Sequence, residues 1–453
     1  MAYTRMARTR LCAFPLLLVS AVTLAQTSQQ VVTPPKVMLW MDVSTGGMAG
    51  MPEFDMPGMG GLMGGMAGMG KGGPGARSTN REYYGAARTF HITPPRVLDI
   101  ALWNGLKPGV EAAQRIPPGL KLGDKLPLLP VIENKVVDSR ETSPDGAPVD
   151  YEAPKGRILF YWGCNASVQP GQPRILDLSK LGAGSAASFG SAFSGRFAPD
   201  RGAKVRAGYD VFPNERDQRA LPRDASLVGE HQVTGDSVPA SFKFNLGPAH
   251  DVMPAIELQS QGGLKDSVAL SWIPVTNAKA YYLHALGAQG DDMVFWSSSE
   301  VPDSGFGLFD YLSNGTIDKW IAEKVILGSG VTQCAVPKGI FAAGGAANAR
   351  GRDDAGAMLR MVAYGGEHGF VHPPRPTDAK IPWNQEWSVR LRAKSQTMAM
   401  LGEEMEQRPK PAQRSGRGKP PAEEAMEDRE DGNSGNSMQM PSPANLLKGL
   451  FGR

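Results

Sequence analysis

Alternation of apolar and polar side chains, not a helical period, dominates the readable parts of this chain. Residues 266–272 (DSVALSW) change side at every step, as a half-buried strand does. The runs 280–285 (AYYLHA), 293–298 (MVFWSS), 357–364 (AMLRMVAY) and 387–393 (WSVRLRA) continue that pattern. In the first half, residues 36–45 (KVMLWMDVST), 88–92, 96–103 (RVLDIALW), 156–164 (GRILFYWGC) and 173–178 (PRILDL) read as strands from their β-branched and aromatic content. The 36–45 and 96–103 runs are expected as neighbours joined by a very long loop. The 156–164 run is expected to pair with 173–178 across the turn residues Gln169, Pro170, Gly171 and Gln172. Among these strands one window has a helical period: residues 316–325 (TIDKWIAEKV) place Ile317, Trp320, Ile321 and Val325 on one face. From 104 to 154, eight prolines, among them Pro117, Pro118 and Pro127, predict a surface crossing with short ordered pieces.

These patterns predict an all-β chain of two β-sandwich-like domains with long loops, spanning residues 31–246 and 248–399. The short amphipathic helix is inserted in the second. With 55 glycines and 37 prolines in 453 residues, turns are favoured over helices. From 401 to 441 charge blocks, prolines and serines replace large apolar residues, and such a tail cannot bury enough surface to offset its ordering entropy. Residues 442–453 form a short amphipathic helix in this reading. Ser442 supplies the N-cap, Pro443 the first turn, and Leu446, Leu447, Leu450 and Phe451 an apolar face for an envelope partner.

The N-terminus adds a compartment. Arg5, Arg8 and Arg10 precede an apolar run at 11–19 and small residues up to Ala25, the layout of a secretory signal at 1–25. The run is shorter than the roughly 20 residues a membrane span needs, so the mature chain is expected without a span, in the bacterial periplasm or secreted. Cleavage removes Cys12 and leaves Cys164 and Cys334 in an oxidising compartment, as one disulfide or as two separate buried thiols. The formal net charge is +3, with acids and bases interspersed, and no basic block of the kind that binds nucleic acid is present.

The segment DSVALSWIPVTNAKAYYLHA resembles strands B and C of fibronectin type III-like domains. Trp272, Pro274, Ala280 and Tyr281 or Tyr282 stand where that pattern has a core tryptophan, a proline two residues on, and an alanine and tyrosine leading the next strand. LRMVAYGG, ending at Gly366, is similar to the F strand of the same fold. The resemblance implies an immunoglobulin-like sandwich for the second half and no catalytic residues.

One stretch suggests a specific chemistry. Residues 46–73 hold Met48, Met51, Met56, Met59, Met63, Met66 and Met69, spaced 3, 5, 3, 4, 3 and 3 apart. Thioethers are soft donors that select Cu(I) or Ag(I) over hard ions. Twelve of the 28 residues are glycine, so no helical ligand face forms, and the plainer reading is a low-complexity loop at 46–80. His368 and His372 share a strand face but lack a third ligand, and His91, His231, His250 and His284 are scattered and read as ordinary surface or hydrogen-bonded histidines. No nucleophile elbow or phosphate loop is found. The chain reads as an exported, non-enzymatic envelope protein, structural or partner-binding, without a cofactor. The alternatives are a periplasmic Cu(I)/Ag(I)-binding protein using the tract and an unrecognised hydrolase.

Overall fold

A computed structural model describes residues 30–50, 80–132, 156–177, 195–289, 292–341 and 357–402. The fold is all-β. In chain order the strands are β1 (Val32–Thr33), β2 (Val37–Thr45), β3 (Arg96–Asn104), β4 (Ala112–Arg115), β5 (Lys125–Pro130), β6 (Arg157–Trp162), β7 (Arg174–Asp177), β8 (Tyr209–Phe212), β9 (Gly229–Gly235) and β10 (Lys243–Leu246). The second half adds β11 (Leu258–Gln261), β12 (Val268–Trp272), β13 (Ala280–Gln289), β14 (Asp292–Ser297), β15 (Leu327–Gly328), β16 (Gln333–Val336), β17 (Ala357–His372), β18 (Trp383–Asn384) and β19 (Trp387–Leu401). A helix, α1 (Asn314–Ala322), lies between β14 and β15.

Fourteen of these strands form one mixed sheet in the order β10-β9-β4-β5-β8-β3-β2-β19-β17-β13-β14-β6-β7, with β15 paired to β13. At its centre β14, β13, β17 and β19 are antiparallel neighbours. The three-stranded sheet β11-β12-β16 packs on one face of that centre. Leu258, Val268 and Leu270 from the small sheet meet Leu283, Leu359 and Met361 from the large one. Trp272 is buried there, edge-on to Tyr281 at 5.4 Å, as its alternating strand requires.

The first half of the chain extends this centre on both sides. β2 runs parallel to β19 from Val37↔Trp387 to Thr45↔Ser395, and β6 runs parallel to β14. Two parallel ladders and one continuous apolar core therefore cross the expected division at 246–248. Sequence alternation does not show this, because residues 41–45 of β2 and 391–397 of β19 are buried on both faces while carrying polar residues at alternate positions.

Several local expectations meet specific outcomes. β2 and β3 are antiparallel neighbours, and β6 pairs with β7. The α1 helix is capped by Ser313, whose hydroxyl accepts from the Thr316 amide, and it ends before Lys324, which is left-handed at φ 59°. Residues 88–92 are not a strand. Pro94 and Pro95 remove ladder donors, and a 3₁₀ turn at Ala86–Arg88 folds the segment over the sheet. The proline-rich stretch after 104 is more ordered than expected. It contains β4, β5 and the core residues Leu120, Leu126 and Leu128, with Pro118 opening a 3₁₀ turn. Residues 401–402 close β19, and the remainder of the expected tail lies outside the described residues, as does the expected signal.

Candidate functional site

The large sheet has a second face, and its chemistry differs from the first. Odd-numbered residues of β19 (Val389, Leu391, Ala399, Leu401) join the apolar core. The even-numbered ones point the other way, and Arg392, Lys394 and Gln396 are all buried. Asp42 and Ser44 on β2 and Asp99 on β3 lie beside them through the ladder pairings Asp42↔Arg392, Ser44↔Lys394 and Asp42↔Asp99. Residues 84–92 and 303–312 cover this layer, with α1 packing alongside through Ile317 and Trp320 against Tyr282 and Tyr364.

Each ionisable group in the layer has an internal partner. Arg392 donates Nε to Asp42 Oδ1 at 2.7 Å in a two-pronged pair whose members are each 1% exposed. Burial works against the Arg392 charge, but Asp42 outweighs it and raises the guanidinium pKa above its ordinary value. The Lys394 ammonium donates to the carbonyls of Arg88 (3.1 Å) and Phe309 (3.0 Å). Burial pushes its pKa down to about 7, against the pull of Asp310. Both cations lie over the Tyr311 ring, at 4.5 Å and 4.9 Å, and the Tyr311 hydroxyl donates to Ala87 O. The Ala87 amide in turn donates to Asp99 Oδ2 at 2.8 Å, and Gln396 Nε2 donates to Thr89 O at 2.7 Å. Arg88 pairs with Asp310 and Asp200. Burial works to raise the Asp310 carboxyl, but the hydrogen bond and charge of Arg88 outweigh it and hold it low.

The histidines on this face are neutral. His91 contacts Ser44 Oγ at 3.0 Å and Pro94 O at 2.9 Å, and burial lowers its pKa to about 4. His284 Nε2 lies 3.1 Å from Ser304 O, and burial reinforced by Arg360 lowers it likewise to about 4. Arg360 sits with its guanidinium 4.1 Å from the Phe309 ring centre and 5.1 Å from that of Phe90. Burial lowers it to about 10, and its Nε has no hydrogen-bond partner among the described residues.

Beyond Arg360 the same face becomes a methionine surface. Met358 on β17 stands opposite Met400 on β19, and Met398 pairs in parallel with Met48 through Ala49 N to Met398 O (2.8 Å) and Met398 N to Gly47 O (3.1 Å). Met48 keeps the register of β2 along β19, so its side chain shares the face of Asp42 and Ser44. All four methionines are partly exposed.

The residues singled out in the sequence fall as follows. Cys164 and Cys334 are joined in a disulfide that ties β16 to the segment after β6. Met48 is fixed on the sheet, whereas Met51, Met56, Met59, Met63, Met66 and Met69 lie outside the described residues, as do Leu446, Leu447, Leu450 and Phe451. His368 and His372 are both on β17. His368 is edge-on to His250 at 4.6 Å, and His372 stacks on Trp387 at 5.4 Å. His231 is buried against Gln114 and Leu227 O. Among the described residues no group of three or more His, Cys, Asp or Glu is placed to hold a metal ion, and no helix is long and apolar enough to cross a membrane. An open depression of about 590 Å³ beside β4 and β5 exposes Arg115, Lys125 and Arg219, with Arg219 already paired to Asp217. Sequence reading missed the ionic layer. Its signal was the lone aspartate inside each apolar strand, in LWMDVS and RVLDIA, facing the alternating bases of WSVRLRAKS.

No family model, curated protein or solved structure matches this chain.

Proposed function

We propose that the protein is an exported, non-enzymatic component of the bacterial envelope, a rigid β-sheet module that binds another envelope protein. The observation that carries this reading is the closure of the ionic layer. Within this layer the groups suited to acid–base or nucleophilic work are Asp42, Asp99, Arg392, Lys394, His91 and His284, and each is at most 9% exposed and engaged by internal partners. Such a layer stabilises and specifies the sheet and leaves no room for a substrate. The facing of β11-β12-β16 against β14-β13-β17-β19 supports a fibronectin type III-like second half, embedded in a larger sheet.

Strand β7 is where an extended partner segment would pair. It ends the sheet's path, bonds only to β6 among the described strands, and carries Ile175 at 52% exposure. A photocrosslinking residue at position 175, introduced in the native host, is expected to capture one discrete envelope protein. Leu176→Pro, which blocks strand pairing, should abolish that product. Absence of a discrete product, or hydrolysis of an ester, amide or phosphoester panel that is lost in His284→Ala, would overturn the reading.

A second reading, binding of Cu(I) or Ag(I), is favoured by one observation: Met48, the first methionine of the tract, is held in register beside Met398 on a sheet that carries further partly exposed methionines.

A further inference from the structure

We infer that Met48, the first methionine of the tract, forms with Met358, Met398 and Met400 a thioether site on the folded sheet for a single soft monovalent cation, one that needs none of the tract's other six methionines. The inference rests on the soft-metal reading and names a site for it within the ordered fold. Three ladder relations bring these residues together. Met358 is directly opposite Met400, Met398 is two residues from Met400 on the same strand, and Met48 is paired with Met398. Neighbouring strands lie about 4.8 Å apart and same-face residues of one strand about 6.8 Å apart, so four long flexible side chains reach a common point above the sheet.

Their shared face follows from the ladders, which run without a shift from Ala357↔Leu401 to Tyr364↔Lys394. The alternate residues Ala357, Leu359, Ala399 and Leu401 are buried in the apolar core on the other side. All four methionines are partly exposed, at the solvent side of the sheet. The donor set is purely soft, and thioethers discriminate against Mg²⁺, Ca²⁺ and Zn²⁺ in favour of Cu(I) and Ag(I). Arg360 stands directly opposite Met398 in the ladder. Its positive charge, held over Phe309 and Phe90, opposes any cation, but a divalent one about twice as strongly as a monovalent one at the same distance, so of the two it disfavours the +1 ion less.

The test uses the mature full chain and Ag(I), which needs no anaerobic handling, with binding read by native mass spectrometry and by competition for affinity. In a first variant Met51, Met56, Met59, Met63, Met66 and Met69 are each replaced by Leu, silencing the tract. A second adds Met358→Leu, Met398→Leu and Met400→Leu, near-isosteric changes whose folding is checked by circular dichroism. The tract-silenced protein is expected to retain one Ag(I), and the second variant to bind it about tenfold more weakly or worse. No Ag(I) on the tract-silenced protein, or equal affinity in the two variants, overturns the site. The broader soft-metal reading fails separately, only if the unaltered protein also binds no Ag(I). Retention of Ag(I) by the unaltered protein but not by the tract-silenced one would assign binding to the tract and refute the sheet site.

Discussion

Leu391 and Arg392 are consecutive residues of β19, at 0% and 1% exposure, and they enter two different environments. Leu391 joins an apolar core shared by both sheets, where area removed from water does the work and neighbouring side chains are interchangeable within their volume. Arg392 enters a layer of fixed charges and hydrogen bonds in which each member depends on its partner. One face tolerates change gradually, and the other fails when a single group is removed. The methionine patch extends the ionic face past Arg360, at the point where its cover of charged partners gives out.

This contrast is open to direct attack. The largest effect is expected for Arg392→Met, which leaves Asp42 buried and unpaired and should cost about 3–5 kcal/mol in guanidinium unfolding. The double variant Asp42→Asn/Arg392→Met should recover part of that loss. Next door, Leu391→Ala should cost about 2–5 kcal/mol with no such recovery available from Asp42→Asn. An Arg392→Met loss below about 1 kcal/mol, the size of an exposed pair, would show that the layer is not closed.

A smaller effect should come from the disulfide, which lies on the apolar side, with Cys334 buried in the core and Cys164 packed against it. Its cysteines are 170 residues apart in sequence, and Cys164→Ser/Cys334→Ser should lower stability by about 2–4 kcal/mol. Reduction of the unaltered protein should reproduce that shift in midpoint.

The subtlest consequence is a pH slope. Lys394 has a folded pKa of about 7, below the 10.5 of an ordinary lysine, so the unfolded chain holds the extra proton between those values. Stability contributed by this group therefore rises with pH from about 7 to about 10.5. The stability difference between the unaltered protein and Lys394→Met should follow that rise, as measured by denaturation at pH 7, 8.5 and 10. A flat difference would mean that Lys394 titrates normally.

The strands and the helix were legible because alternation and a 3.6-residue period are local properties: VALSW and TIDKW carry their assignments in a few residues. The ionic layer was not. In WSVRLRAKSQ the bases occupy every second position, as they do on a solvated strand face. Whether that face is covered depends on residues 84–92 and 303–312 arriving from elsewhere. Asp42 and Arg392 are 350 positions apart, and only the parallel ladder of β2 on β19 joins them. The same ladder brings Met48 to Met398, so the folded methionine patch was hidden while the tract beginning at Met48 was conspicuous. Sequence alone leaves the disulfide open, because spacing says nothing about how closely Cys164 and Cys334 approach.

The division of the second face into a closed ionic part and an open thioether part is tested most directly by methionine methyl NMR. The sample is the tract-silenced protein labelled at the methionine ε-carbon and titrated with Ag(I). Signals of Met48, Met358, Met398 and Met400 are expected to shift together and saturate at one equivalent. Met41 and Met361, both 0% exposed on the opposite face, should stay in place. Stationary signals from all four, or equal movement of Met41 and Met361, would contradict the division.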